Sequence, residues 1–295
     1  GDGSGIFAQR YDATQGTHEE EFQLGTQWRI NTTTTGDQSR PAVSSSVSGD
    51  FIVGWETADE DSTGLRAKLF DATRRALSDE LILNTTTTGT QANLSLAMAS
   101  QGSFVAAWES PDADGTGITA RLFNADGTPG SAELSVNTVT SGEQTSPVVA
   151  IDAQGRFVVS YNSGGEVKAQ QFGQDGTRLG SELTVNSTTI GLQQSPAIAM
   201  TRDGHFVVSW EGPDSDGTGI FAQRYDNQAS PVGSQISVNS YTSGNQYDPT
   251  VQVDADANFI VGWTSSQQDG QGEGVYAQRF NAAGIAQSNE FRLND

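Results

Sequence analysis

The sequence predicts an all-β fold, a β-propeller built of four-stranded antiparallel blades. Three observations predict it: an Asn-closed repeat running through the whole chain, four short apolar segments between turns inside each repeat, and no stretch of helical periodicity.

The repeat comes first. Asn31, Asn84, Asn137, Asn186, Asn239 and Asn294 close successive units at intervals of 53, 53, 49, 53 and 55 residues. A bulky aromatic (Trp55, Trp108, Tyr161, Trp210, Trp263) follows each of the first five by 24 residues. Ala67, Ala120, Ala169, Ala222 and Ala277 each precede the next Asn by 17 residues, while Ala8 precedes Asn31 by 23. Length varies in two places only. One is the aromatic-to-Ala segment, at 12, 12, 8, 12 and 14 residues; the other is a six-residue excess near "GTHEEEFQLGTQ". The units are a half unit at 1–31 and repeats at 32–84, 85–137, 138–186, 187–239 and 240–294, in a single domain of five or six blades after closure.

In residues 187–239, "SPAIAM" reads as strand a, "HFVVSW" as b, "GIFAQRYD" as c and "SQISVN" as d. The separators "TRDG", "EGPDSDGT" and "NQASPVG" carry the Gly, Pro, Asp and Asn that turns require. Strand b is apolar on both sides of its pleat (Phe206, Val207, Val208, Trp210), so both faces are expected to be covered. Strand d alternates Ile236 and Val238 with Ser237 and Asn239, as an outer strand does. A solenoid needs shorter coils, and a sandwich would not repeat its sequence.

Composition narrows the partners. Asp and Glu number 36 against 15 Lys and Arg, a net charge of −21. Such a chain repels phosphate backbones and anionic lipid, which argues against nucleic-acid and membrane-surface partners and favours divalent cations. There is no cysteine, and no apolar run is long enough to span a membrane. The start at Gly1, inside a repeat phrase, reads as a processed product or a fragment of a longer chain.

The pattern "T-x-G-x-Q-x-x-P…G-x-F-V-V-x-W…D-x-D-G-x-G-I-x-A-Q-R-Y" resembles β-propeller-forming repeats of large secreted bacterial calcium-binding and adhesin-type proteins, often found beside RTX repeats, and covers essentially the whole chain. The resemblance implies a secreted or cell-surface location. It also implies calcium in the acidic b–c loops, at Asp59, Asp61, Asp112, Asp114, Asp214 and Asp216, with Asp269 and Asp2 as further candidates. The chemistry is consistent: hard cations take oxygen ligands from alternate Asp carboxylates and loop carbonyls, and Gly lets the backbone turn sharply. The bland alternative is a set of solvated Asp-Gly turns. No distal bidentate Glu follows, so these are not EF-hands, and affinity would be weak, about 10⁻⁴ to 10⁻³ M. The third unit has lost four residues and both acids, and its Gly164-Gly165 pair reads as a tight hairpin turn.

In an up-and-down blade, the b–c loops share a face with the d-to-a links "NTTTTGDQ", "NTTTTGTQ", "NTVTSGEQ", "NSTTIGLQ" and "NSYTSGNQ". Their Asn and Thr residues are expected to bond their own backbone. Asn31, Asn84, Asn93 and Asn186 also sit in glycosylation sequons.

Catalysis finds little support in the sequence. His18 and His205 lack an evident Ser or Cys partner, and carboxylates are too abundant to single out a pair. Arg10, Arg224 and Arg279 share a repeat column with Leu69, Leu122 and Gln171, which suggests that they pack their stems between blades rather than form a sialidase-like arginine cluster. The regular aromatics look like core, with Tyr241 and Tyr247 as exceptions confined to one unit. The expectation is therefore a non-enzymatic extracellular interaction or adhesion module meeting glycans, proteins or neighbouring domains of a surface protein. One alternative is a structural subunit polymerising through unpaired terminal strands, since the chain begins with strands c and d. A second is a propeller glycosidase or lectin.

Overall fold

The computed structural model describes residues 3–12, 22–23, 25–59 and 61–294. The described residues contain strands and turns and no helix.

A short N-terminal segment forms two two-stranded ladders. β1 (Phe7–Ala8) pairs with β4 (Trp28–Arg29), and β2 (Tyr11–Asp12) pairs with β3 (Phe22–Gln23). Five four-stranded meanders follow. Blade 1 holds β5 (Gln38–Ser45), β6 (Phe51–Ala58), β7 (Thr63–Phe70) and β8 (Leu81–Ile82). Blade 2 holds β9 (Ala92–Met98), β10 (Phe104–Pro111), β11 (Thr116–Phe123) and β12 (Leu134–Ser135). Blade 3 holds β13 (Gln144–Ile151), β14 (Phe157–Ser163), β15 (Glu166–Phe172) and β16 (Arg178–Thr184). Blade 4 holds β17 (Gln194–Met200), β18 (Phe206–Pro213), β19 (Thr218–Tyr225) and β20 (Pro231–Ser237). Blade 5 holds β21 (Gln246–Val253), β22 (Phe259–Ser266), β23 (Glu273–Phe280) and β24 (Phe291–Arg292). Each is an antiparallel sheet in sequence order a–b–c–d, the blade of a β-propeller.

The cores lie between blades. Ile52, Leu65, Leu69 and Leu83 of blade 1 pack against Leu96, Met98, Phe104 and Trp108 of blade 2, and the later blades repeat this. Trp55, Trp108, Tyr161 and Trp210 are 0% exposed, so each aromatic of strand b wedges two sheets apart at full burial. A second ring closes each b–c pair. Phe104 stacks on Phe123 and Phe157 on Phe172, with centroids 4.7 and 4.8 Å apart. In blade 3 the shortened connection is the expected tight turn, Ser163 pairing Glu166 across Gly164 and Gly165 at φ 61° and 81°.

The repeated Asn was read as the polar, outward side of strand d. It is instead buried: Asn31, Asn84, Asn137, Asn186 and Asn239 are 2% to 8% exposed. Each is a clamp. Asn137 Oδ1 accepts from Ile118 N at 2.8 Å on strand c, and its Nδ2 donates to Val139 O at 2.8 Å and to Gln144 Oε1 at 2.9 Å on the next blade. Gln144 is 0% exposed and in turn donates to Ser141 O and Gly142 O. Asn31, Asn84 and Asn239 repeat the arrangement with Gln38, Gln91 and Gln246. In four of the five links an Asn followed seven residues later by Gln thus ties one repeat to strand a of the next, satisfying buried amides that no ladder reaches. In the other, Asn186 accepts from Val167 N and donates to Thr188 O and Glu166 Oε2, while Gln193 accepts from Trp210 Nε1.

Candidate functional site

The b–c loops and the d-to-a links do share a face. Gln91 N donates to Thr63 O at 3.0 Å, and Gly89 N donates to Asp61 Oδ2 at 2.7 Å. As expected, the link Asn residues bond their own backbone, Asn31, Asn84, Asn137, Asn186 and Asn239 each donating Nδ2 to the carbonyl two residues on, and glutamates at or just before strand d hold the Thr residues. Glu80 accepts from Thr32 and Thr33 through both backbone and hydroxyl groups, Glu133 does so from Thr85 and Thr86, and Glu182 from Thr138. Burial works against the charge on Glu80, but these hydrogen bonds outweigh it and hold the carboxyl down at about 2. The clamp geometry also corrects the sequon reading. The amides of Asn31, Asn84 and Asn186 are buried and engaged, so a glycan there is incompatible with the folded chain. Asn93 is partly exposed and accepts from Arg40 Nη1 at 2.6 Å.

The acidic loops have a regular interior. Asp59 Oδ1 accepts from Asp61 N and Ser62 N, Asp112 Oδ1 from Asp114 N, and Asp214 Oδ1 from Asp216 N. Asp216 reaches Gly244 N at 3.4 Å, as Asp61 reaches Gly89. The other oxygen of each first Asp is unusual: Oδ2 of Asp59, Asp112 and Asp214 is buried and has no hydrogen-bond partner. It folds over the second loop glycine. A Cβ on Gly117 would stand 2.8 Å from Asp112 Oδ2 and 3.2 Å from Asn137 Oδ1, and one on Gly219 would stand 3.0 Å from Asp214 Oδ2. The orphan oxygen and the adjoining Asn oxygen suit a hard cation in donor type. They fall short of six to eight ligands, and among the described residues no three His, Cys, Asp or Glu side chains are placed together to hold a metal. Asp269 differs, its Oδ2 pairing with Arg292 Nη2 at 2.9 Å. Asp2 and His18 lie outside the described residues.

A second constellation was not anticipated. Strand a of every blade carries a bulge whose residue takes a left-handed φ: Arg40 (47°), Asn93 (54°), Ser146 (55°), Ser195 (52°) and Asp248 (51°). In three of the five, its freed N–H is taken by a strand-b glutamate of the preceding blade. Asn93 N donates to Glu56 Oε1 at 2.8 Å, Ser146 N to Glu109 Oε1 at 2.7 Å, and Asp248 N to Glu211 Oε2 at 3.2 Å. The backbone device repeats but the side chains do not. Along the inner edge on the link face the five positions offer a guanidinium, an amide, two hydroxyls and a carboxylate. At Asp248 alone the exposed bulge residue itself bears a carboxylate, and the Glu211 to which its backbone N–H donates is 5% exposed, with Oε1 accepting from Gln194 Nε2. Tyr247, next in the chain, donates its hydroxyl to Glu273 Oε1, which holds the phenol above its ordinary range. The signal in the sequence was a variable residue inside a fixed column.

The other candidates are structural. Arg10 and Arg224 each donate to a c–d turn carbonyl of the next blade, Ala72 O and Ala282 O, as Gln171 does to Asn227 O at 3.1 Å. They bridge blades on the face away from the links. His205 sits in an a–b turn, 3.2 Å from Asp203.

No family model matches the chain, and no curated protein does. Solved structures do. An α-L-arabinanase of Penicillium chrysogenum, solved with arabinobiose, aligns over 88% of this chain and 81% of its own at 15% identity and a TM-score of 0.54. Hydrazine synthase of Kuenenia stuttgartiensis aligns over 86% and 66% at 12% identity and 0.56. A Hadza microbial sialidase aligns over 86% and 58% at 8% identity and 0.52. These likenesses establish the fold. They also correct the expectation of a non-enzymatic adhesion or structural module, which rested on treating a repeat-built propeller as framework throughout: propellers of this shape include enzymes that cleave glycans.

Proposed function

We propose that the chain is a carbohydrate-active propeller of the extracellular space that hydrolyses a glycosidic bond at the inner edge of its link face. The observation that carries this is the pairing of Asp248 with Glu211. Glycoside cleavage needs two carboxyl groups, one to protonate the leaving oxygen and one to attack or to activate water. The backbone N–H of Asp248 donates to Glu211 Oε2 across blades 4 and 5, which sets a residue with an exposed carboxyl against one whose carboxyl is buried. The amide and hydroxyls of Asn93, Ser146 and Ser195 supply the hydrogen-bonding groups that neutral sugar hydroxyls require. The likeness to arabinanase and sialidase propellers supports the reading without choosing the sugar.

The test is reducing-end release from arabinan, β-1,3-galactan and sialylated glycans. One of these should be cut, and Asp248→Asn should lower the rate at least about 100-fold, the scale of a lost acid–base group, while Asp216→Asn leaves it unchanged. No release from any of them, or equal release by Asp248→Asn, overturns the assignment.

A stabilising calcium ion is a second reading, favoured by the three orphan oxygens of Asp59, Asp112 and Asp214. These, with Asn84, Asn137 and Asn239 alongside, are the groups that would hold it, water completing the shell. Its contribution is to stability, not to the reaction.

A further inference from the structure

We infer that the face away from the links carries a second binding site, a groove at the seam of blades 2 and 3 that takes a neutral oligosaccharide. It is formed by a–b and c–d turns, on the side opposite the link-face residues Asp248 and Glu211, and does not rest on the hydrolysis proposed for them. The repeat supplies the internal control. The seam of blades 4 and 5 has a cavity in the same place, and every residue lining it has a counterpart two repeats earlier in the lining of the groove. At blades 4 and 5 the cavity holds about 60 Å³, and at blades 2 and 3 it holds about 1090 Å³.

Three positions open the groove. His205, Arg224 and Val232 fill the small cavity, and Ser103, Leu122 and Gly130 stand in their places in the large one. Arg224 closes its seam by donating to Ala282 O, whereas Leu122 has no donor to offer the corresponding carbonyl of Gln174. Gly130 answers no demand of the backbone. Its φ is not left-handed, and a Cβ there would come no closer than 3.5 Å to Asn124 Oδ1 and Leu122 O, an ordinary contact. The glycine therefore leaves room rather than relieving strain.

The walls name the ligand class. Leu122 and the partly buried Ile151 make an apolar floor, with Leu179, 37% exposed, at its margin. The rim is set with carboxamides: Gln101, Gln154 and Gln174 are exposed, and their side chains make no hydrogen bond among the described residues. The charged groups of the groove are already engaged. Arg156 Nε holds the buried Asp152 carboxylate at 2.7 Å and its Nη2 donates to Asp203 O at 3.1 Å. Asp203 accepts from the Thr201 hydroxyl and lies 3.2 Å from His205 Nδ1, and Asp175 accepts from the backbone and hydroxyl of Thr177. A carboxamide both donates and accepts, as a sugar hydroxyl does, and an apolar floor suits the C–H face of a sugar ring. The groove is as large as a roomy ligand pocket, which fits several sugar units rather than one. Asp175, Asp203 and the net charge of −21 repel an acidic glycan.

The probes are arabinohexaose and galactohexaose, with a galacturonate hexamer as the charged control, each titrated calorimetrically into the full chain carrying Asp248→Asn so that hydrolysis does not consume them. At least one neutral probe should bind saturably and the galacturonate hexamer should not. Joining Leu122→Arg to Gly130→Val rebuilds the wall found at blades 4 and 5 and should weaken that binding on the order of tenfold or more. Gln154→Ala and Gln174→Ala, at exposed positions, should each weaken it about fivefold, the worth of one hydrogen bond. An unchanged melting temperature separates lost binding from lost folding, and if the rebuilt wall unfolds the chain, the two Gln variants decide alone. Reducing-end release by the chain with Asp248 intact is measured apart, so a failure of the hydrolysis reading leaves the titration standing. The inference is overturned if neither neutral probe binds, if binding survives the rebuilt wall or both Gln variants, or if galacturonate binds as tightly.

Discussion

Replacing Asn137 with Ala tests how the blades are joined. The substitution removes three hydrogen bonds at once, to Ile118 N, Val139 O and Gln144 Oε1. At a net worth of about 1 kcal/mol each they sum to about 3 kcal/mol. The amide of Ile118 is then left without a partner in a region where Ile118 is 1% exposed, which adds about 1–2 kcal/mol. The expected cost is about 4–5 kcal/mol, large for a single polar side chain. Asn294 provides the control, because it closes its repeat with one backbone hydrogen bond, from Val275 N, and is exposed. Asn294→Ala should cost about 1 kcal/mol. Asn137→Asp should be no milder than Ala at neutral pH, since its second oxygen would face the acceptors Val139 O and Gln144 Oε1. Urea unfolding followed by tryptophan fluorescence gives the three midpoints, compared at a common m-value. If Asn137→Ala shifts the midpoint no further than Asn294→Ala, the clamp is not what joins the blades, and the reasoning fails.

The remaining predictions are smaller in scope. The carboxyl of Glu80 is depressed from 4.5 to about 2 in the folded chain, so its stabilisation is complete above about 4.5 and fades as pH falls toward about 2. Because the group is partly exposed, Glu80→Gln should cost no more than about 1 kcal/mol at pH 7, and the difference should close near pH 2 in a thermal melt series. Gly117→Ala drives a methyl toward Asp112 Oδ2 and Asn137 Oδ1 and should destabilise by about 1–3 kcal/mol; an unchanged melting temperature would show that the loop yields freely. Millimolar calcium should raise the melting temperature, and a variant joining Asp59→Asn, Asp112→Asn and Asp214→Asn should lose that rise. If wild type and triple variant respond equally, the orphan oxygens hold no ion.

The sequence by itself determined the period, the four strands of each blade, their order and the tight turn of blade 3. Those properties are local: alternation, turn residues and a fixed spacing act within a few residues of each other. It also placed the acidic loops and the links on one face, because an up-and-down meander leaves no other arrangement. What it misjudged was the polar residues. The clamping Asn looked like an outward position, and nothing local distinguished Glu56, Glu109 and Glu211 among the abundant carboxylates, yet all are held between blades. Only the tertiary structure decided this, since each partner lies on another blade and no local pattern encodes what packs against it. The same holds for Asp248, which became a candidate only when its bulge set its backbone N–H against Glu211. The expectation of a non-enzyme took repetition in sequence as framework throughout, and the likeness to propeller enzymes corrects it.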